Sequence, residues 1–257
     1  LSGTGIHSGE QCQVTIMPGK DRIRFVHLGS VIDASAENVS KTPRSTWLGT
    51  VRTIEHLMSA FAGLEITDAD VVVEGSELPI LDGGSREFCQ ALMEAGKKRI
   101  GRTACQMFGR VQMTFEGQSI SIAAGSGCWK YLLKSSAFPG DQTATFQFGT
   151  GEYLKELAPA RTWCFERDLP EIERLGLGKG GSLQNTLIIG DGGYRNEPHF
   201  ENEPARHKLL DCLGDLALAG VPARFLEVAA EASGHTMHVK AAARLKQLCF
   251  WEDLATP

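Results

Sequence analysis

His207 and Asp211 stand four residues apart in the run Arg206-His207-Lys208-Leu209-Leu210-Asp211. On a helix that spacing puts an imidazole and a carboxylate on one face, a turn from each other. Such a pair could share one cation, and zinc accepts both ligand types. Asp215 extends the same face by another turn, while Leu209, Leu210, Leu213 and Leu216 supply an apolar side. By itself a His–Asp pair at this spacing is more often an exposed intrahelical pair than a metal site. A second run, Thr53-Ile54-Glu55-His56-Leu57, sets a carboxylate beside an imidazole. Adjacent helical residues point about 100° apart, so the two can place a ligand and a base around one ion but cannot both ligate it from one face. With His56 as a third ligand, zinc keeps a fourth position for water, the arrangement of catalytic sites. Glu55 would then take the proton of that water. Alone, this run reads more readily as a surface glutamate next to a helix-end histidine. Ser233-Gly234-His235 is the third piece, at a point where a strand gives way to a helix. A histidine there can be aimed into a cleft, although histidines at helix starts are common.

The elements that must position these groups alternate between strands and helices. Gln13 to Pro18 and Arg22 to His27 are β-rich and flank a Pro-Gly turn, which suggests an antiparallel pair. Thr53 to Phe61 reads as a helix capped by Thr53, with Leu57, Ala60 and Phe61 at core spacing. A Val-rich strand at Asp70 to Glu74 leads through the turn Pro79–Gly84 into a second helix, Ser85 to Ala95. The basic stretch Lys97, Lys98, Arg99 and Arg102 is the best linker candidate. Beyond it, Arg110–Phe115 and Ser119–Ala124 form a hairpin around Glu116-Gly117. Trp129–Ser135 and Thr143–Phe148 add strands, and residues 161–191 read as strand, helix, strand with Gly180-Gly181 at the last bend. Glu203–Ala219 is an amphipathic helix, Phe225–Ala230 a strand and His235–Cys249 a closing helix. The expectation is an α+β chain of two domains, residues 1–101 and 102–257, each a β-sheet layered against α-helices, facing each other. No repeat with a readable sequence period and no low-complexity segment is found.

Bulk properties exclude several function classes. The 257 residues, 42% hydrophobic and 22% charged, suit an ordinary globular chain with ample core. A net charge of −5 offers no basic footprint for nucleic acid. No run approaches a membrane span, and the longest apolar helix candidate, Leu209–Val221, is broken by Asp211 and Asp215. Gly3, Gly5, His7 and Glu10 interrupt any signal-peptide core. The chain starts at Leu1, so a leader or a first strand is expected upstream. Seven scattered cysteines, none as C-x-x-C, suggest a reducing compartment rather than a disulfide framework. The Gly-rich stretches at 3–9 and 176–181 do not match a phosphate-cradling loop and read as turns.

Taken in order, these runs resemble one family nearly end to end. They are Gly5-Ile6-His7-Ser8-Gly9, Arg52-Thr53-Ile54-Glu55-His56-Leu57, Pro79-Ile80-Leu81-Asp82-Gly83, Ala160-Arg161-Thr162-Trp163, Gly180-Gly181-Ser182, Arg206 to Asp211, and Ser233-Gly234-His235. Each is weak alone, but in this order and separation they resemble the UDP-3-O-acyl-N-acetylglucosamine deacetylases. The resemblance implies two α+β domains with the active site between them. It also implies hydrolysis of the N-acetyl amide of a UDP-3-O-acyl-sugar, giving acetate, the committed step of lipid A synthesis for lipopolysaccharide.

By the same resemblance His56, His207 and Asp211 hold Zn2+ and Glu55 is the general base. Thr162 stabilises the oxyanion, His235 protonates the leaving amine, Asp215 orients His235, and Lys208 contacts substrate. Segment 161–191 forms a passage for the acyl chain, with Trp163 and Phe165 among its lining and Leu169, Ile172, Leu177 and Leu187 as further candidates. Two positions depart from the family pattern: Ala232 stands where a lysine is common, and Trp163 where phenylalanine is usual. The implied partner is the small-molecule substrate, with no nucleic acid, no membrane insertion and a monomeric chain. The implied location is the cytoplasm, or an organelle in a plant or alga. The alternatives are a zinc deacylase acting on another amide and a non-catalytic relative that only binds.

Overall fold

The computed structural model of the chain describes residues 1–99 and 102–254. In chain order the first part holds β1 (Ser2–Thr4), β2 (Gln11–Pro18), β3 (Ile23–His27), β4 (Ser30–Asp33), β5 (Val39–Lys41), β6 (Trp47–Leu48) and β7 (Val51–Arg52). It closes with α1 (Glu55–Gly63), β8 (Ala69–Glu74) and α2 (Arg86–Ala95). Five of these strands form a sheet in the order β1-β2-β8-β3-β4. Apolar and polar residues alternate along them, so Val14, Phe25, Val71 and Val73 fill one buried face against α1 and α2.

The expected pairing of β2 with β3 is not what forms. β8 lies between them, antiparallel to β2 and parallel to β3. Parallel strands need a crossover rather than a tight turn, and α1 provides it. The Val-rich strand thus takes the centre, where it is covered on both edges.

The second part repeats this order. It holds β9 (Arg102–Met107), β10 (Val111–Phe115), β11 (Gln118–Ala124), β12 (Cys128–Leu133), β13 (Gln142–Gln147) and the short α3 (Tyr153–Glu156). Next come β14 (Thr162–Phe165), α4 (Leu169–Arg174), β15 (Thr186–Gly190) and β16 (Gly193–Tyr194). Then follow α5 (Glu203–Ala217), β17 (Leu226–Glu231), α6 (His235–Leu248) and β18 (Cys249–Leu254). The second sheet runs β10-β11-β17-β12-β13, with β17 antiparallel to β11 and parallel to β12. A repeat is therefore present in the topology although no sequence period announces it. β18, which the sequence reading does not foresee, pairs antiparallel with β9. The hairpin at Glu116-Gly117 forms as expected, both residues at positive φ as a two-residue turn requires. The expected boundary at 101/102 falls on residues 100–101, outside the described residues.

Two contacts fix how the parts meet. α1 packs on α5, and the approach is close enough that a Cβ on Gly214 would lie 2.0 Å from the Glu55 carbonyl oxygen. The 161–191 segment bridges back to the first part: Thr162 N–H donates to Gly83 O at 2.8 Å and Gly180 N–H to Ile6 O at 2.9 Å. The fold is thus α+β in two domains, sheets outside and helices facing inward. No helix of the described residues is long and apolar enough to cross a membrane.

Candidate active site

α1 does not start as a side-chain cap at Thr53 would have it. Thr53 lies at a φ of 61° and its hydroxyl donates to Glu77 at 2.8 Å, so α1 begins at Glu55 behind an uncapped Ile54. Glu77 is 1% exposed and also accepts Ser8 N–H at 2.8 Å, tying the 5–9 turn to the start of this helix. Glu55 and His56 therefore leave the first turn of α1 towards α5, both buried. From α5, His207 and Asp211 meet them one turn apart, also buried.

His56 Nε2 lies 3.7 Å and His207 Nε2 3.4 Å from Asp211 Oδ1. Both separations are too long for a good hydrogen bond. They approach the edge of a tetrahedron of ligands about 2.0–2.1 Å from a central ion, roughly 3.3–3.4 Å. The three could together hold a metal ion. Their protonation suits it. Burial and the facing His207 push His56 down to about 3, and burial lowers His207, so both rings are neutral with a lone pair to give. His207 Nδ1–H donates to Ala160 O at 3.1 Å, which leaves Nε2 as the free acceptor. His56 Nδ1 is buried without such a partner. Burial alone would raise Asp211, but His207, Lys208, His235 and His56 hold it well below the usual carboxylate range.

Around this trio stand three further groups. Lys208 Nζ donates to Asp211 Oδ2 at 2.9 Å, on the oxygen turned away from the histidines. Glu55 is pushed up to about 8, first by burial and then by Asp215 and Asp211, with His235 opposing. His235 opens α6 behind Gly234, and its Nδ1–H donates to Asp215 Oδ2 at 2.8 Å. Its Nε2 comes to 4.0 Å from both Glu55 Oε1 and Asp211 Oδ2. Burial works against a charged His235, but Asp215, Asp211 and Glu55 outweigh it and push the ring up to about 9. The pocket thus sets two groups of opposite duty side by side: a carboxyl hard to ionise and an imidazolium hard to neutralise.

Two other residues belong here that sequence reasoning does not find. Thr46, fully buried, donates its N–H to Glu55 Oε2 and its hydroxyl to Asp215 Oδ1. His238, fully buried, donates Nδ1–H to Asp215 Oδ2 at 3.0 Å and accepts from Ser233 Oγ at 2.8 Å. His238 is three residues from His235 on one helix, so its spacing carried a signal. Nothing in the neighbourhood of Thr46 did.

Thr162 begins β14, two residues beyond the carbonyl that fixes His207. β14 and β15 pair in parallel, Trp163 opposite Leu187 and Phe165 opposite Ile189, so these four share one face and Thr162, Cys164 and Ile188 the other. Leu187 is fully buried in the core, which removes it from the candidate lining. Trp163 packs on the core with its indole N–H donating to Pro204 O at 3.2 Å, away from the strand face of Thr162. Along the same segment Leu169, Leu175 and Leu183 are exposed at 39%, 47% and 56%, an apolar run that water does not favour.

Residues 1–247 match the family model described as UDP-3-O-acyl N-acetylglycosamine deacetylase. The chain is also similar to curated proteins named UDP-3-O-acyl-N-acetylglucosamine deacetylase. That of Aquifex aeolicus is 37% identical over 93% of this chain and 87% of its own length. That of Anaeromyxobacter dehalogenans is 36% identical over 92% and 81%. That of Trichormus variabilis is 33% identical over 96% and 95%.

Proposed function

That the chain belongs to the UDP-3-O-acyl N-acetylglycosamine deacetylase family is the premise from which we propose its reaction. It hydrolyses the N-acetyl amide of a UDP-3-O-acyl-N-acetylglucosamine, releasing acetate and the free amine, the committed step of lipid A synthesis. The observation that carries the reading is the convergence of His56, His207 and Asp211 between α1 and α5, beside Glu55 and the Asp215–His235 pair.

In this reading the three converging residues hold Zn2+. The bound ion supplies the Lewis acidity that brings the pKa of water towards about 7. Glu55, in its ionised form, takes the proton of the attacking water, and the burial that raises its pKa makes that carboxylate a stronger base than an exposed one. As the water oxygen bonds to the acetyl carbon, the Thr162 hydroxyl steadies the carbonyl oxygen's growing charge. The C–N bond then breaks while His235 gives its Nε2 proton to the leaving nitrogen, its Nδ1 held by Asp215. Lys208 keeps Asp211 ionised and turned towards the histidines, and contacts the substrate from its partly exposed side. The acyl chain lies along the 161–191 segment against Trp163 and Phe165, with Leu169, Leu175 and Leu183 closing over it. We take the chain to act as a monomer in the cytoplasm and to divide between residues 101 and 102.

The test is mass spectrometry of products from substrates differing only in acyl length, with zinc counted by elemental analysis. The parent should release acetate, with efficiency falling as methylenes are removed, each worth ~0.8 kcal/mol when buried. His207→Ala and Asp211→Ala should lose zinc. Glu55→Ala should keep it and lose roughly 100-fold or more in turnover. Undiminished zinc in both ligand variants would remove the ligand set, and a flat response to acyl length would remove the passage. Acetate from a different amide alone would favour the related deacylase reading, which Ala232 already leans towards.

A further inference from the structure

Thr46 sits between β5 and β6, and every polar group it owns is engaged. Its carbonyl accepts Ile54 N–H at 3.3 Å, at the residue from which α1 starts. Its N–H donates to Glu55 Oε2 at 3.0 Å, and its hydroxyl donates to Asp215 Oδ1 at 2.5 Å while lying 3.3 Å from His235 Nδ1. The hydroxyl is the donor in that bond, because an ionised carboxylate can only accept. Asp215 is thereby fixed at both oxygens: Oδ1 by Thr46, Oδ2 by the Nδ1–H of His235 and of His238. It cannot rotate without giving up a charge-assisted bond. The segment just before Thr46 is itself fastened to both halves of the chain. Thr42 Oγ1 bonds Thr236 Oγ1 at 2.7 Å at the start of α6, and Arg52 Nε donates to Ser45 Oγ at 3.1 Å.

We propose that Thr46 is a positioning residue for the reaction: it holds the base Glu55 and the Asp215–His235 pair in one geometry, from a single rigid point. Among the described residues Thr46 alone is hydrogen-bonded to both carboxylates, to Glu55 through its backbone N–H and to Asp215 through its hydroxyl. The elements involved come from both halves, since Glu55 rides on α1, Asp215 on α5 and His235 on α6. Thr46 joins the three through bonds a fraction of an ångström from ideal length, and a reaction needing a proton taken at one point and delivered at another depends on that spacing. Removing the hydroxyl leaves Asp215 Oδ1 buried with one donor fewer and lets the carboxylate turn, so that Nε2 of His235 no longer points at the leaving nitrogen. Substrate binding does not pass through this bond, and neither does the ligand trio.

This inference rests on the deacetylase reading, and the experiment separates the two. Thr46→Ser and Thr46→Ala differ from each other only in the hydroxyl, so each serves as control for the methyl that both have lost. Thr46→Val restores the volume without the hydroxyl. Acetate release, KM, zinc content and the thermal midpoint are measured for parent and variants. Thr46→Ser should stay within a few-fold of the parent. Thr46→Ala and Thr46→Val should lose about 10–100-fold in kcat, as misplacing a catalytic group does, at unchanged KM and zinc. Equal kcat in the Ser and Ala variants would overturn the proposal. So would a difference that follows KM, zinc or the thermal midpoint instead of kcat. A parent that releases no acetate overturns the functional reading and this inference with it, whereas an active parent with equal Ser and Ala variants overturns the inference alone.

Discussion

Asp215 is the residue on which the acid–base balance of the pocket turns. It raises both Glu55 and His235, though burial is the largest influence on each and works in opposite directions on the two. His235, pushed up to about 9, carries its proton through neutral pH and loses it as pH rises through that value. Activity that needs the protonated ring therefore fails on the alkaline side, and activity that needs ionised Glu55 fails on the acid side. Replacing Asp215 with Asn removes a raising influence from both, so the kcat profile against pH should slide to lower pH on both limbs. The two limbs belong to the coupled pair rather than to either residue alone. An alkaline limb that stays put in Asp215→Asn would remove His235 from the role of acid. At this scale the sequence was informative where residue type and spacing coincide, as for His207 with Asp211. It was silent on Thr46, because a threonine in a short connection looks like any other until the fold sets two carboxylates against it.

Between elements, the decisive contact is α1 against α5. Gly214 has no room for a side chain, since a Cβ there would meet the Glu55 carbonyl oxygen at 2.0 Å. Gly214→Ala should push the helices apart, costing about 1–3 kcal/mol as overpacking does. On the proposed reading it should also weaken zinc binding, because His56 lies on one helix and His207 and Asp211 on the other. Thermal melts and zinc titration would show both effects; an unshifted midpoint with parental zinc affinity would mean that the helices have slack the geometry denies. Helices and strands themselves were largely legible from periodicity. Pairing was not, since β2 and β3 look like a hairpin locally and only the parallel crossover through α1 puts β8 between them. The start of α1 departs from the sequence expectation for a similar reason: Thr53 has the right side chain for a cap, but Glu77, remote in sequence, engages it first. Strand β14 shows the same limit, because alternation sets Thr162 and Trp163 on opposite faces and only the packing of Trp163 on the core, with its bond to Pro204 O, tells which face is which.

Seen whole, the chain is one topology used twice, with the two copies facing each other across α1 and α5. A single ion held from both helices would be a bolt between the halves. Chelation should therefore lower the thermal midpoint of the intact chain, and added zinc should restore it. At free zinc 100 times its Kd, binding adds ~2.7 kcal/mol. A midpoint indifferent to verified zinc loss would mean that the halves are joined by packing alone. The doubling left no sequence period because what repeats is the order of strand pairing, which very different side chains can satisfy. That order also has a meaning in time. In each copy the strand at the middle of the sheet is among the last to leave the ribosome, so the earlier strands wait with their inner edges unmatched. His56 emerges while the residues that would share its ion are still unmade. On the proposed reading a metal can be no midwife to the first sheet, finished at β8 long before α5 is made; in the second, β17 follows His207 and Asp211, so the latch can be set while that leaf is still open.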